Sequence, residues 1–163
     1  MFSLEIVTLA RLLIDEARER SLRIVTAESC TGGLVAGAIC SISGSSDVFE
    51  RGFVTYSNQA KEDLLGVSGA MIRQHGAVSE AVARAMAEGA IRNSAAQLAL
   101  AITGVAGPGG GSEEKPVGLV HIAAARAGEP TLHREFRFGD IGRGNVRRKS
   151  VEAAMEMLEQ LVQ

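Results

Sequence analysis

The sequence has no tryptophan, one tyrosine (Tyr56) and only 4% aromatic residues. Its core must therefore be assembled from Ala, Val, Leu and Ile. Two cysteines, Cys30 and Cys40, are too few for a disulfide framework or a zinc cage. A cytoplasmic setting is the default expectation. No cluster of His, Cys or carboxylates has metal-ligand spacing, so no metal is expected. No apolar run reaches the roughly 18 residues of a candidate membrane span. The N-terminal stretch is interrupted by Glu5, Arg11, Asp15 and Glu16, and it lacks the layout of a signal peptide. Positive charge is also sparse. The formal net charge is −2, and the densest basic stretch is the short run Arg143–Lys149. Partners expected from this balance exclude nucleic acid and membrane.

What is present fits one ordinary domain spanning residues 1–163, with 46% hydrophobic and 22% charged residues. Ile6, Leu9, Ala10, Leu13 and Ala17 recur at helical spacing. Strands are expected at Arg23–Ala27, Gly52–Tyr56, Gln97–Thr103, Val117–Ala125 and Thr131–Phe138. Helices are expected at Leu34–Ile42, from Asn58 (as N-cap) to Leu65, around Ser68–His75, from Ser79 to about Asn93, and at the C-terminus. Helices alternate with strands at first, and three strands then follow without a helix between them. That order predicts a three-layer α/β/α sandwich around a mixed, mostly parallel five-stranded sheet. Ligands of such sheets sit beyond the carboxyl ends of the strands. Three segments that could carry chemistry, ESCTGG, YSNQAK and TGVAGPGGG, each follow a predicted strand.

Ser29 falls between a strand and a helix and is followed by Gly32 and Gly33. Its hydroxyl could project from a sharp turn, with backbone N–H groups ready to hold an oxyanion or a phosphate. It could equally be an N-cap. A nucleophilic serine needs a base, and His75, His121 and His133 are poorly placed. Lys61, just past the second strand, would serve if it lost its proton near neutral pH; otherwise it is a solvated surface lysine. Tyr56 ends the same strand and is either a hydroxyl in that space or a half-buried core aromatic. Cys30 is the rival nucleophile, or a small buried filler. The loop Gly104–Pro116 matches neither common nucleotide-loop pattern. Thr103 and Gly104, at the strand end, are better placed than the rest of it. Arg143 and Arg147, one helical turn apart, suit a phosphate or a solvated face.

Four segments taken together, TAESCTGG (Thr26–Gly33), FERGFVTYSNQAK (Phe49–Lys61), GAVSE (Gly76–Glu80) and ITGVAGPGGGSEEKPVG (Ile102–Gly118), resemble the CinA C-terminal domain family. Its stand-alone members are nicotinamide-nucleotide amidohydrolases of the PncC type. The resemblance covers nearly the whole chain. It implies hydrolysis of nicotinamide mononucleotide (NMN) to nicotinate mononucleotide and ammonia, a step of pyridine nucleotide and NAD salvage, by a serine–lysine mechanism without a cofactor. On these residues it implies Ser29 as nucleophile and Lys61 as base, with Tyr56 as a third catalytic candidate. Thr103 and the turn Glu28, Cys30, Thr31, Gly32 and Gly33 would line the pocket. Gly104, Arg143 and Arg147 complete the candidate substrate-binding set. A small-molecule nucleotide is the expected partner, and an Ala-rich small domain leaves room for a homo-oligomer. Two alternatives stand beside this reading: a Cys30-dependent amidase, and a non-catalytic nucleotide-binding regulatory domain.

Overall fold

The computed structural model describes residues 1–163. Its elements are α1 (Leu4–Glu19), β1 (Ile24–Glu28), α2 (Leu34–Cys40), β2 (Phe49–Val54), α3 (Asn58–Leu65), α4 (Gly69–His75), α5 (Glu80–Arg92), β3 (Leu98–Gly104), β4 (Leu119–Arg126), β5 (Leu132–Arg137) and α6 (Arg143–Val162). The sheet order is β2-β1-β3-β4-β5. β2, β1 and β3 are parallel, β4 runs against β3, and β5 runs against β4. Four of the five strands thus point the same way, giving the expected mixed sheet. No helix is long and apolar enough to cross a membrane.

Alternation along the strands builds the three layers. In β3, Leu98, Leu100 and Ile102 face one side, where they meet α1, α2 and α6 in a cluster of 26 buried residues. The intervening Ala99 and Ala101, with Ala123 and Ala125 of β4, face α3, α4 and α5 in a smaller cluster of 15. Alanines on that face let α5 lie close to the sheet. Truncating a large core residue such as Leu100 to Ala would cost about 2–5 kcal/mol.

The register places the site. Glu28 of β1 stands opposite Val54 of β2 and Ile102 of β3. The next residues, Ser29, Thr55 and Thr103, therefore stand at one level, where β1 and β2 end and β3 runs on beside β4 to Gly104. The ladder runs on briefly there, with the Ser29 N–H donating to Ile102 O (3.0 Å) and the Thr55 N–H to Glu28 O (2.9 Å).

Local details depart from the sequence reading. β2 begins and ends earlier than expected, and Tyr56 lies outside it. Ser57, and not Asn58, caps α3, its side chain accepting from the Ala60 N–H at 3.0 Å. Serine and asparagine cap about equally well, so preference alone could not choose between neighbours. The shift frees the Asn58 side chain and makes Lys61 the fourth helical residue of α3. α4, capped by Ser68 and closing at His75, matches the helix expected around those residues.

Candidate active site

A cleft of about 280 Å³ opens at the carboxyl ends of β1, β2 and β3. Ser29 and Cys30 come from the turn after β1, and Tyr56, Asn58 and Lys61 from the end of β2 and the start of α3. Ala77 and Val78 precede α5. Thr103 and Gly104 end β3, the loop following it adds Val105, Ala106, Gly107, Gly109 and Gly110, and Arg143 opens α6.

Lys61 is one of the largest fully buried side chains in the molecule, only 1% exposed. Helical side chains lean toward their own N-terminus. Lys61 accordingly reaches back over the first turn of α3. Its Nζ lies 3.0 Å from Ser29 Oγ and donates to Thr55 O at 2.8 Å. A third carbonyl, Tyr56 O, is 3.5 Å away. Burial pushes the lysine below its ordinary pKa of 10.5, because the charged form loses hydration that three uncharged oxygens only partly replace. The solvated-lysine alternative is excluded.

Ser29 does not cap α2. The residue in the capping position is Gly33, which has no side chain for it. Glu28 does that work. Its Oε1 accepts from the Val35 N–H (2.9 Å) and the Thr31 hydroxyl (2.7 Å), and its Oε2 accepts from the Ala36 N–H (3.1 Å). A carboxylate at this helix start satisfies donors the helix leaves open. Ser29 Oγ is thereby left to Lys61.

The same arrangement corrects several sequence expectations. Glu28, Thr31, Gly32 and Gly33 do not line the cleft. The α2 start proposed for a phosphate is occupied by the Glu28 carboxylate. Arg147 does not line the cleft either. Its Nε donates to Cys30 O and its Nη2 to Thr31 O, both at 3.1 Å. Tyr56 is 62% exposed, not half-buried. Its hydroxyl accepts from Arg143 Nη2 (3.1 Å), so it stands with Arg143 and not in the Ser29–Lys61 pair. Arg143 Nη1 donates to Gly107 O (2.8 Å), so this guanidinium spans the cleft from Tyr56 to the loop after β3.

Cys30 lines the cleft, but burial pushes its thiol up to about 11. It stays protonated near neutral pH and is a poor rival to Ser29. Thr103 donates its hydroxyl to Ala77 O at 2.9 Å, which pulls the segment before α5 into the wall. Gly104 is required sterically, since an added Cβ would lie 2.9 Å from Leu119 O.

Sequence reasoning did not find Asn58, Ala77, Val78, Val105 or Ala106 as lining residues. All but Asn58 are small or apolar and carry no chemical signature. The one signal for Ala77 and Val78 was their place within GAVSE. Together they supply an apolar wall beside the Ser29–Lys61 pair. No group of His, Cys, Asp and Glu is arranged to hold a metal ion.

A buried serine–lysine pair facing a cleft with an apolar wall and one guanidinium is suited to acyl transfer. The chain belongs to the CinA C-terminal domain family, whose model matches residues 6–162. It is 52% identical over 150 residues to a CinA-like protein of Syntrophobacter fumaroxidans, covering 92% of this chain and 35% of that protein. The chain thus spans about a third of the length of such longer relatives. It is 49% identical over 157 residues to the nicotinamide-nucleotide amidohydrolase PncC of Escherichia coli K12, covering 96% of this chain and 94% of that protein. The solved competence/damage inducible protein CihA of Agrobacterium tumefaciens superposes with a TM-score of 0.99 at 52% identity, over 100% of this chain and 99% of that one. A CinA superfamily protein of Escherichia coli gives 0.91 at 37% identity, over 96% of this chain and 90% of that one.

Proposed function

We propose that this protein is a nicotinamide-nucleotide amidohydrolase that converts NMN and water to nicotinate mononucleotide and ammonia. The observation that carries this reading is the buried Lys61 amine 3.0 Å from Ser29 Oγ. Similarity to PncC over almost the whole of both chains supports the substrate.

In the first step neutral Lys61 Nζ takes the Ser29 hydroxyl proton as Oγ bonds to the carboxamide carbon. The carbonyl π electrons move onto oxygen. The Cys30 N–H, which donates to no other residue, is a donor available to that oxyanion. The Lys61 ammonium then gives its proton to the departing nitrogen. The C–N bond breaks, ammonia leaves, and an ester remains on Ser29. Water attacks the ester with Lys61 again accepting the proton, and Ser29 Oγ leaves and recovers it.

The apolar wall of Ala77, Val78, Val105 and Ala106 suits the pyridine ring, and Arg143 suits the phosphate. Holding the phosphate supplies remote binding energy that positions the amide. No step calls for a metal or an organic cofactor, and the place proposed for the reaction is the cytoplasm, in pyridine nucleotide salvage. Incubating purified protein with NMN and measuring ammonia tests the reading. Release dependent on Ser29 is expected; none from the folded wild-type protein would refute it. Release by Ser29→Ala but not by Cys30→Ala would shift the nucleophile to Cys30.

A further inference from the structure

The turn that carries Ser29 is held from outside the cleft. Ser29 to Gly32 form a β-turn closed by the Gly32 N–H donating to Ser29 O at 3.0 Å. Such a turn leaves the carbonyls of its two central residues, Cys30 and Thr31, without partners in the turn itself. Arg147, on the second turn of α6, donates to both of them at 3.1 Å. Thr31 O also accepts from the Leu34 N–H at 3.1 Å, which ties the turn to α2. Gly32 has φ +58, and a Cβ there would lie 3.4 Å from Arg147 Nη2, so the guanidinium sits directly against the turn.

Peptide groups are planar and trans, so the C=O and N–H of one group point in opposite directions. Fixing Thr31 O fixes the plane whose N–H is that of Gly32. That N–H holds Ser29 O. The group containing Ser29 O ends in the Cys30 N–H, which must then point the opposite way and makes no hydrogen bond within the chain. Cys30 borders the cleft.

We infer that Arg147 is a positioning residue: by gripping Cys30 O and Thr31 O it aims the Cys30 N–H, through two peptide planes, at the oxyanion that forms next to Ser29. This rests on the amidohydrolase reading above. It separates Arg147 from Arg143, which lies one helical turn earlier and faces the cleft. A fork of guanidinium donors can satisfy two adjacent carbonyls at once; a lysine ammonium on a shorter stem holds one at most with good geometry.

An oxyanion donor strengthens its bond only as charge develops, so disturbing it lowers kcat and leaves KM alone. Outright removal of such a donor costs on the order of 100- to 1,000-fold, and misaiming one should cost about 10- to 100-fold. The experiment measures kcat and KM for NMN in the wild type, Arg147→Ala and Arg147→Lys, with thermal unfolding of each. Ammonia release by the wild type establishes the underlying reading independently. Given that activity, Arg147→Ala should lose about 10- to 100-fold in kcat with KM within about twofold, and Arg147→Lys should lie between. Free guanidinium at millimolar concentration should restore kcat in Arg147→Ala and have no such effect on the wild type. If Arg147→Ala does not fold, the folded Arg147→Lys decides by the same split. An unchanged kcat in the folded variants, or a raised KM with kcat intact, overturns the inference; the second result would return Arg147 to the substrate.

Discussion

Lys61 and the His121–His133 pair are both drawn out of water, and of these only the lysine faces the Ser29 cleft. Lys61 ends beside Ser29 at the carboxyl ends of the three parallel strands. His121 and His133 meet between the antiparallel strands β4 and β5, with His121 Nδ1 and His133 Nε2 2.9 Å apart. Glu135 lies 3.8 Å from the first ring and Glu80 lies 3.4 Å from the second. Burial lowers the pKa in both places; at His121 the charge of His133 adds to it, while Glu135 and Glu80 oppose it. The histidines have no nucleophile beside them and line no part of the Ser29 cleft. A perturbed pKa is therefore a pointer to function only where geometry supplies a reacting partner and space for a substrate.

The sharpest way to break this comparison is Ser29→Ala. Activity toward NMN should fall by about 10⁴-fold or more, as when a nucleophile is removed from a concerted pair. Folding should be little affected, because Ser29 Oγ bonds only to Lys61 and the amine keeps Thr55 O. A thermal unfolding curve within about 1 kcal/mol of the wild type is expected. Substantial residual turnover would mean that the pair is structural, like the histidines.

Lys61→Arg should be nearly as inactive, since guanidinium cannot act as a base. Lys61→Met should be equally inactive and yet no less stable, because an apolar side chain of similar length spares the desolvation of an amine. pH sharpens the point. The folded pKa of Lys61 lies below 10.5, so between that lowered value and 10.5 the unfolded chain binds more protons than the folded one. Stability should then rise with pH through that window, and kcat should rise through the lowered pKa itself. Lys61→Met should flatten the stability slope. An activity that rises only near pH 10.5 would show that burial does not tune this lysine.

Arg143→Gln comes next in size. It should raise KM for NMN by about 10-fold or more while changing kcat less, the pattern of a lost binding contact. Free nicotinamide, lacking the phosphate, should be a poor substrate for wild type and variant alike. Equal loss toward both compounds would place Arg143 at the reacting amide instead.

The smallest effect is expected at the histidines. His133→Gln should leave kcat within about twofold, as befits a residue outside the cleft. Its signature is in stability. Both rings have folded pKa values below 6.5, so the unfolded chain protonates first as pH falls. Stability from the neutral pair is fully present above about 6.5 and is lost as pH falls beneath it toward the folded values. The variant should weaken that acid slope. A large loss of kcat would make the pair part of the catalytic machinery and collapse the contrast with Lys61.

The layers and the location of the site were legible because both follow from periodicity and strand order. ESCTGG, YSNQAK and TGVAGPGGG each follow a strand, and parallel strands put their carboxyl ends together. Lys61 was a candidate base from its place just past the second strand, with a solvated lysine left open, and the family resemblance favoured the base; its proximity to Ser29 depends on the backward lean of a side chain near a helix start, which spacing does not encode. Arg143 and Arg147 could not be separated, because residues four apart on a helix share a face and only the tertiary placement of α6 assigns one to the cleft and one to the turn. Glu28 was read as a pocket residue since nothing in sequence says that Gly33 leaves the α2 start uncapped. Ala77 and Val78 carry no chemistry to notice.

The central claim is that Ser29, activated by Lys61, forms an ester with the substrate. Rapid acid quenching of the wild-type protein during turnover of NMN, followed by peptide mass spectrometry, tests it most directly. The account predicts an adduct of the nicotinate mononucleotide acyl group that fragmentation assigns to Ser29, absent from Ser29→Ala and not accumulating in Lys61→Met. An adduct on Cys30 in the active wild-type protein would contradict it.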